Sequence, residues 1–323
     1  MVFKNTSESG TGLMERLAAH TGSEFKNGLI VLPESFGKGY IKYYDLGPSL
    51  KMMVNQSILH EDMNLKRANP QQGKNEVTFS FRNVFAQQYS GLLPSVQVSS
   101  SNIDLEVFIP AGTPIHTILI TVHTDLLKDL LNHKKENSLL QNILFGDQLY
   151  FYEEVISPEI QDIAANIAAV TAAATATVSE ELSDFYMKLK AQEMIYLFFV
   201  ELLKREQVTS FPFNVSDVKA MYLIRDQIAA DLSISPNLPA LTSLSNMSES
   251  KMSRLFRQIF GSSIYHYYQN LRMNKAAYMI KEEKLSVSET GYRLGFTNLS
   301  HFTRIFEKHM GLKPKKYSIS SLT

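Results

Sequence analysis

Two stretches decide how this chain is read: SESKMSRLFRQIFGSSIYHYYQNLRMNKAAYMI, residues 248–280, and SVSETGYRLGFTNLSHFTRIFEKHMGLKPKKY, residues 286–317. Ser248 can cap a helix that stops at Gly261, and Asn298 one that stops at Gly311. Ser253-Arg254-Leu255-Phe256-Arg257 lines up with Thr303-Arg304-Ile305-Phe306-Glu307, 50 residues further on. Each amphipathic helix has a shorter one before it. The first runs from about Asn237 to Ser245; the second opens with the capping box Ser286-Val287-Ser288-Glu289 and ends before Gly295. Two helix–turn–helix units result. Leu241, Leu244, Met247, Met252, Leu255, Phe256 and Phe260 point inward in unit one; Val287, Thr290, Leu294, Phe296, Phe302, Ile305 and Phe306 do so in unit two.

The outward faces carry the chemistry. Ser250, Ser253, Arg254 and Arg257 fall at i, i+3, i+4 and i+7, one continuous helix face. Leu299, Ser300, Thr303 and Arg304 form the corresponding face of unit two. Arginine can read guanine O6 and N7 with two hydrogen bonds, and serine or threonine can meet base edges or phosphates. A solvated surface has the same composition, so the repetition matters more than either face alone. Charge adds weight. Val215 to Thr323 holds 15 Lys and Arg against 8 Asp and Glu, a net +7, and the preceding 214 residues hold 17 against 24, a net −7. A basic half beside an acidic half suggests one domain built to meet a polyanion.

Further helices are expected from Ser216 to Asp231 and from Ser263 to about Glu283, with a final turn from Pro314. QVTSFPFN, residues 207–214, has a proline and no helical period, and reads as a linker.

Residues 216–320 resemble the DNA-binding domain of the AraC/XylS family of bacterial transcription regulators. The apolar helix, the Gly295-Phe296 turn, the Phe302–Arg304–Phe306 helix and the Gly311-x-x-Pro314-x-x-Tyr317 close carry the resemblance. It implies two helix–turn–helix motifs joined by a rigid linker helix over Ile264–Glu283. By position it assigns Ser250, Ser253, Arg254, Leu299, Ser300, Thr303 and Arg304 to base-facing slots, with Arg257 on the same face. Lys313, Lys315 and Lys316 are then phosphate contacts. Thr242 and Gly291 depart from the family, which usually has alanine at both positions; glycine allows close helix approach but costs about 1 kcal/mol of helix propensity. Leu299 stands in a slot that is often polar, which makes unit one the stronger reader. Arg272 on the linker helix is expected to form an internal salt bridge. The resemblance further implies an activator that binds double-stranded DNA, responds to a small-molecule effector, works with RNA polymerase and can form a homodimer.

Upstream the period changes. Val77, Phe79 and Phe81 alternate with polar residues, Ile103, Leu105, Val107 and Ile109 alternate with Asp104, Glu106 and Phe108, and Gly/Pro turns separate the runs between residues 28 and 123. The expected class is α+β: an N-terminal antiparallel β barrel, cupin-like, with helices, then an all-α double helix–turn–helix domain. The expected division is a β-rich regulatory region over 1–155, a helical packing or dimerisation segment over 156–206, a linker over 207–215 and the DNA-binding domain over 216–323. The stripe Leu182, Phe185, Tyr186, Leu189, Met194, Leu197, Phe198, Val200, Leu202 and Leu203 fits either an internal core or a dimer seam. Tyr40, Tyr43, Tyr44, Phe79, Arg67 and Arg82 could line an effector pocket. GKGYIKYYDLGPSLKMMV (37–54) and KLKAQEMIYLFFVELL (188–203) faintly resemble the siderophore-responsive branch, although a sugar or other metabolite fits the layout as well. If no effector binds, the N-terminal domain would serve dimerisation alone.

Several function classes are excluded or disfavoured. With no cysteine, the chain can form no disulfide, thiolate zinc site or cysteine nucleophile, which also removes alkyl-transfer repair chemistry. No Gly-rich phosphate loop, Ser–His–Asp pattern or HExxH occurs. His116 and His123 fall on opposite strand faces, and His60-Glu61 stands alone, so neither a metal nor another cofactor is expected. The polar stretch Met1–Leu13 does not read as a signal peptide, and no apolar run could span a bilayer; no membrane partner and a cytoplasmic location are the expectations.

Overall fold

The computed structural model describes residues 2–6, 11–68, 75–84, 93–99, 106–131, 137–145, 150–173, 180–205 and 211–319. It forms two compact units, one reaching to Val215 and one holding Ser216–Thr323.

The N-terminal unit contains strands β1 (Val2–Thr6), β2 (Phe25–Lys26), β3 (Leu29–Val31), β4 (Gly37–Asp45), β5 (Leu50–Leu59), β6 (Met63–Ala68), β7 (Glu76–Arg82), β8 (Ser95–Ser99), β9 (Glu106–Ile109), β10 (Pro114–His123) and β11 (Phe151–Val155). Its helices are α1 (Thr11–Thr21), α2 (Thr124–Leu130), α3 (Ser138–Phe145), α4 (Pro158–Ala173) and α5 (Glu180–Leu202). An eight-stranded antiparallel sheet runs in the order β11-β8-β7-β10-β5-β4-β3-β2. A three-stranded sheet, β1-β6-β9, pairs β1 with β6 in parallel. The expected closed barrel is not what the described strands form: the large sheet ends at β2 and β11, which do not pair with each other.

The alternation read in β7 holds. Val77, Phe79 and Phe81 are buried, while Thr78, Ser80 and Arg82 are half-buried on the other face. The buried face meets helices rather than a second sheet. Phe79 stands edge-on to Phe198 and Phe199 of α5, with ring centroids 5.3 and 5.9 Å away. Ile160, Ile163 and Ile167 of α4 join this core. Tyr44 and Thr171 share a 2.9 Å hydrogen bond that ties β4 to α4. Burial of the Tyr44 hydroxyl pushes its pKa up to about 12, so it stays protonated. A second core packs Met14 and Ala18 of α1 on Ile30, Ile41, Tyr43 and Met63.

These contacts divide the expected pocket residues. Tyr44 and Phe79 belong to one core and Tyr43 to the other, so the three do not line one cavity. The Arg67 side chain lies outside the described residues, as do the first three residues of Thr177-Val178-Ser179-Glu180, whose spacing reads as a capping box for α5. Helix α5 also splits its apolar stripe. Met187, Met194, Phe198 and Leu202 are buried, whereas Leu182, Phe185, Leu189 and Tyr196 are exposed, as is Leu203 just beyond the helix.

The C-terminal unit is entirely helical among its described residues: α6 (Val215–Ala230), α7 (Leu238–Ser245), α8 (Glu249–Phe260), α9 (Ile264–Lys281), α10 (Val287–Arg293), α11 (Leu299–Met310) and α12 (Pro314–Ile319). Caps set the boundaries. The side chains of Asn237, Ser248, Ser263, Ser286 and Asn298 accept backbone N–H bonds from Ala240, Lys251, His266, Glu289 and both Ser300 and His301. Gly261 and Gly311 close α8 and α11 in the left-handed conformation. Glu289 turns to Arg293, 2.7 Å away, instead of completing the capping box. Each unit has its own aromatic core. Phe256 meets Phe260 and Tyr267; Phe302 meets Phe296 and Phe306.

Candidate nucleic-acid interface

The two amphipathic helices, α8 and α11, present the faces named from the sequence. Ser250, Ser253, Arg254 and Arg257 are all exposed on α8. Opposite them Met252, Leu255, Phe256 and Ile259 are fully buried and hold the helix in place. The Arg254 side chain folds along its own helix, its Nε donating to Ser250 O at 3.2 Å. Lys251 pairs with buried Asp217 at 2.7 Å, which anchors α8 to α6.

On α11, Ser300 and Arg304 are exposed and Thr303 is half-buried. With Leu299, Glu307 and Lys313 they line one open groove. Lys315 and Lys316 are exposed on α12, next to it in the chain. The structure thus brings Leu299, Ser300, Thr303, Arg304 and Lys313 together. It also adds Glu307, which the sequence reading left out although the repeat sets it opposite Arg257.

Leu299 is only half exposed, and Gly291 explains why. A methyl group built on Gly291 would lie 2.7 Å from Leu299 Cδ2 and 3.3 Å from Phe302 Cδ1. The missing side chain on α10 is the space that Leu299 and Phe302 occupy. Leu299 therefore spends part of its surface on packing α10 against α11. At the equivalent departure in unit one, the Thr242 hydroxyl donates to Pro239 O at 2.7 Å, one turn back in its own helix.

Three side chains differ from expectation. Leu244 is exposed, because the eight-residue α7 turns Leu241 and Ser245 inward instead. The rigid linker helix implied by the resemblance needs Tyr265, Tyr268, Leu271, Met273 and Ala276 packed against both units; Tyr265 is exposed while the other four are buried. Arg272 makes no internal salt bridge among the described residues. It is buried, and its Nε donates to Leu294 O at 2.8 Å, its Nη2 donating to the same oxygen. Burial pulls its pKa below the usual guanidinium value, with the Tyr268 and Tyr265 hydroxyls opposing that shift.

No grouping of His, Asp or Glu able to hold a metal ion occurs among the described residues. No described helix is long and apolar enough to cross a membrane.

Comparison with known proteins places the sharpest likeness in this region. A family model described as a helix-turn-helix domain matches residues 241–318. The chain is 28% identical over 131 residues to the HTH-type transcriptional activator RhaR of Enterobacter sp. strain 638, covering 39% of this chain and 46% of that protein. It is 31% identical over 104 residues to the uncharacterized HTH-type transcriptional regulator YpdC of Escherichia coli K12, covering 32% of each. It is 28% identical over 71 residues to the arabinose operon regulatory protein of Salmonella typhimurium LT2, covering 22% of this chain and 25% of that one. The matched stretches span between a quarter and a half of these relatives.

Proposed function

We propose that this chain, a member of the AraC/XylS family by its C-terminal helix–turn–helix domain, is a sequence-specific regulator of transcription that reads double-stranded DNA with α8 and α11. One observation carries the reading: two capped helices present matching Ser/Thr–Arg faces, each held from behind by a buried aromatic core. Arg254 and Arg304 are the base readers, Ser250, Ser253, Ser300 and Thr303 serve base edges or phosphates, and Arg257, Lys313, Lys315 and Lys316 hold the backbone. Leu299, half-committed to packing, offers a thymine methyl at most an apolar contact. The boundaries 1–155, 156–206, 207–215 and 216–323 remain the proposed functional division. The name of RhaR, a transcriptional activator, supports an activator role, and RNA polymerase is the proposed partner in that role.

Arg254→Ala is expected to weaken binding by about 1–3 kcal/mol and to relax preference at one base position, whereas Lys315→Ala should weaken all sequences alike and lower the salt slope by about one. Titrations at several salt concentrations would show both. Unchanged affinity and preference in Arg254→Ala would remove that residue from the interface.

Two features support a regulatory N-terminal unit. Leu182, Leu189 and Tyr196 recur every seven residues along α5 and are all exposed, the pattern of a helix seam between two copies of the chain. Leu189→Glu should then shift sedimentation from dimer to monomer; a monomeric parent would exclude the seam. The sheet face away from α5 carries half-buried Thr78, Ser80 and Arg82, with Arg82 Nε donating to Ser80 Oγ at 3.2 Å. A small polar effector would bind there. If Arg82→Ala leaves ligand-induced changes in DNA binding intact, the effector binds elsewhere; a parent whose DNA binding responds to no small molecule favours the alternative, an N-terminal unit that only dimerises.

A further inference from the structure

The C-terminal unit contains a junction that ties the second helix–turn–helix motif to the turn leading into the first. The α10–α11 turn of the second motif includes Leu294, Gly295 and Phe296. The turn between α6 and α7, which leads into the first motif, includes Leu232 and Ser233. These two turns touch. A methyl group built on Gly295 would fall 2.1 Å from Ser233 O, so only glycine allows the backbones to lie this close. Two side chains of α9, one helical turn apart, stitch the turns together. Tyr268 donates its hydroxyl to Leu232 O at 3.1 Å. Arg272 donates twice to Leu294 O, the carbonyl at the C-cap of α10. Its guanidinium lies 3.6 Å from the centre of the Phe296 ring and 5.3 Å from that of Tyr268. Both side chains are buried, Arg272 at 7% exposure.

Stability alone does not call for an arginine here. Burying a guanidinium without a carboxylate is costly, and an apolar side chain of similar volume often packs as well or better. What arginine adds is direction. Its planar fork can bond one carbonyl twice while stacking on two rings, and each contact fixes the others.

We propose that Arg272, positioned by Tyr268 and seated against the Gly295 turn, is the joint that sets the spacing between the two recognition helices, and so the spacing of half-sites this protein accepts. Arg272 is a positioning residue that does not touch DNA. The proposal rests on the DNA-reading function above.

The test is selection from a randomised duplex DNA library by the full chain, comparing the parent with Arg272→Met. Methionine keeps most of the volume and removes every directed bond. The parent should enrich two motifs at one fixed spacing. Arg272→Met should enrich the same two motifs with a spread of spacings, a change that general loss of stability would not produce. Tyr268→Phe removes only the hydroxyl bond and should broaden the spacing less; it carries the test if Arg272→Met does not fold. A single unchanged spacing in the folded variants overturns the joint while leaving DNA reading intact. Failure of the parent to enrich any motif overturns the DNA reading and the joint with it.

Discussion

Phe302→Ala is expected to destabilise the C-terminal unit by about 3–5 kcal/mol, the range for deleting a fully buried aromatic ring. Phe302 is completely buried, with ring centres 5.1 Å from Phe296 and 5.8 Å from Phe306. It also fills the space beside Gly291, so removing the ring opens a cavity where α10, α11 and their turn meet. A typical domain has only about 5–15 kcal/mol of stability, and this change would consume much of it. Ser300→Ala, two residues away on the exposed face, should alter stability by less than about 0.5 kcal/mol. Denaturant unfolding of the full chain, followed for the C-terminal transition, would compare the two. A cost below about 1 kcal/mol for Phe302→Ala would contradict the packing described.

Gly295→Ala is the second large effect. Two glycines in this unit have nearly the same backbone, Gly295 at φ +76° and Gly311 at φ +73°. An L-residue pays about 1–2 kcal/mol in that region wherever it sits. The surroundings differ. Nothing lies within 4 Å of a methyl group on Gly311, but one on Gly295 meets the O, C and Cα atoms of Ser233 at 2.1, 2.9 and 3.1 Å. Backbone atoms cannot step aside as a side-chain tip can, so the two turns must separate. Gly311→Ala should therefore cost about 1 kcal/mol and Gly295→Ala about 3 kcal/mol or more, with weakened DNA binding. Equal costs would mean that the turns are not held together.

The sequence was most legible where local chemistry sets structure. Asn237, Ser248, Ser263, Ser286 and Asn298 each cap a helix within a residue of the expected start, and Gly261 and Gly311 end theirs. Side-chain direction was less legible in short elements: in α7 both Leu241 and Leu244 are apolar, and only the fold decides that Leu241 goes inside. The Arg272 partner could not be read at all, because a backbone carbonyl 22 residues away leaves no mark on composition or spacing. Glu307 could have been found, since the repeat that pairs Arg254 with Arg304 also pairs Arg257 with Glu307.

In the N-terminal unit the failures share one cause, which is long-range pairing. Strand β11 buries Phe151, Tyr152 and Glu153 in succession, so it shows no alternation. Strand β1 gains its register only from β6, about 60 residues later in the chain. The open edge of the large sheet follows from α4 and α5 covering the face that a barrel would have closed upon itself.

The central claim is that a single chain reads two successive major grooves. Linker helix α9 has 18 residues, about 27 Å at 1.5 Å per residue, which suits grooves about 34–36 Å apart on one face of the duplex. The most direct measurement is a hydroxyl-radical footprint of the full chain on a duplex it selects, repeated after inserting about five base pairs between the half-contacts. The account predicts two protected windows per bound chain, centred about one helical turn apart, and loss of one window after the insertion. A single window, or two that survive the half-turn rotation at full strength, would contradict it.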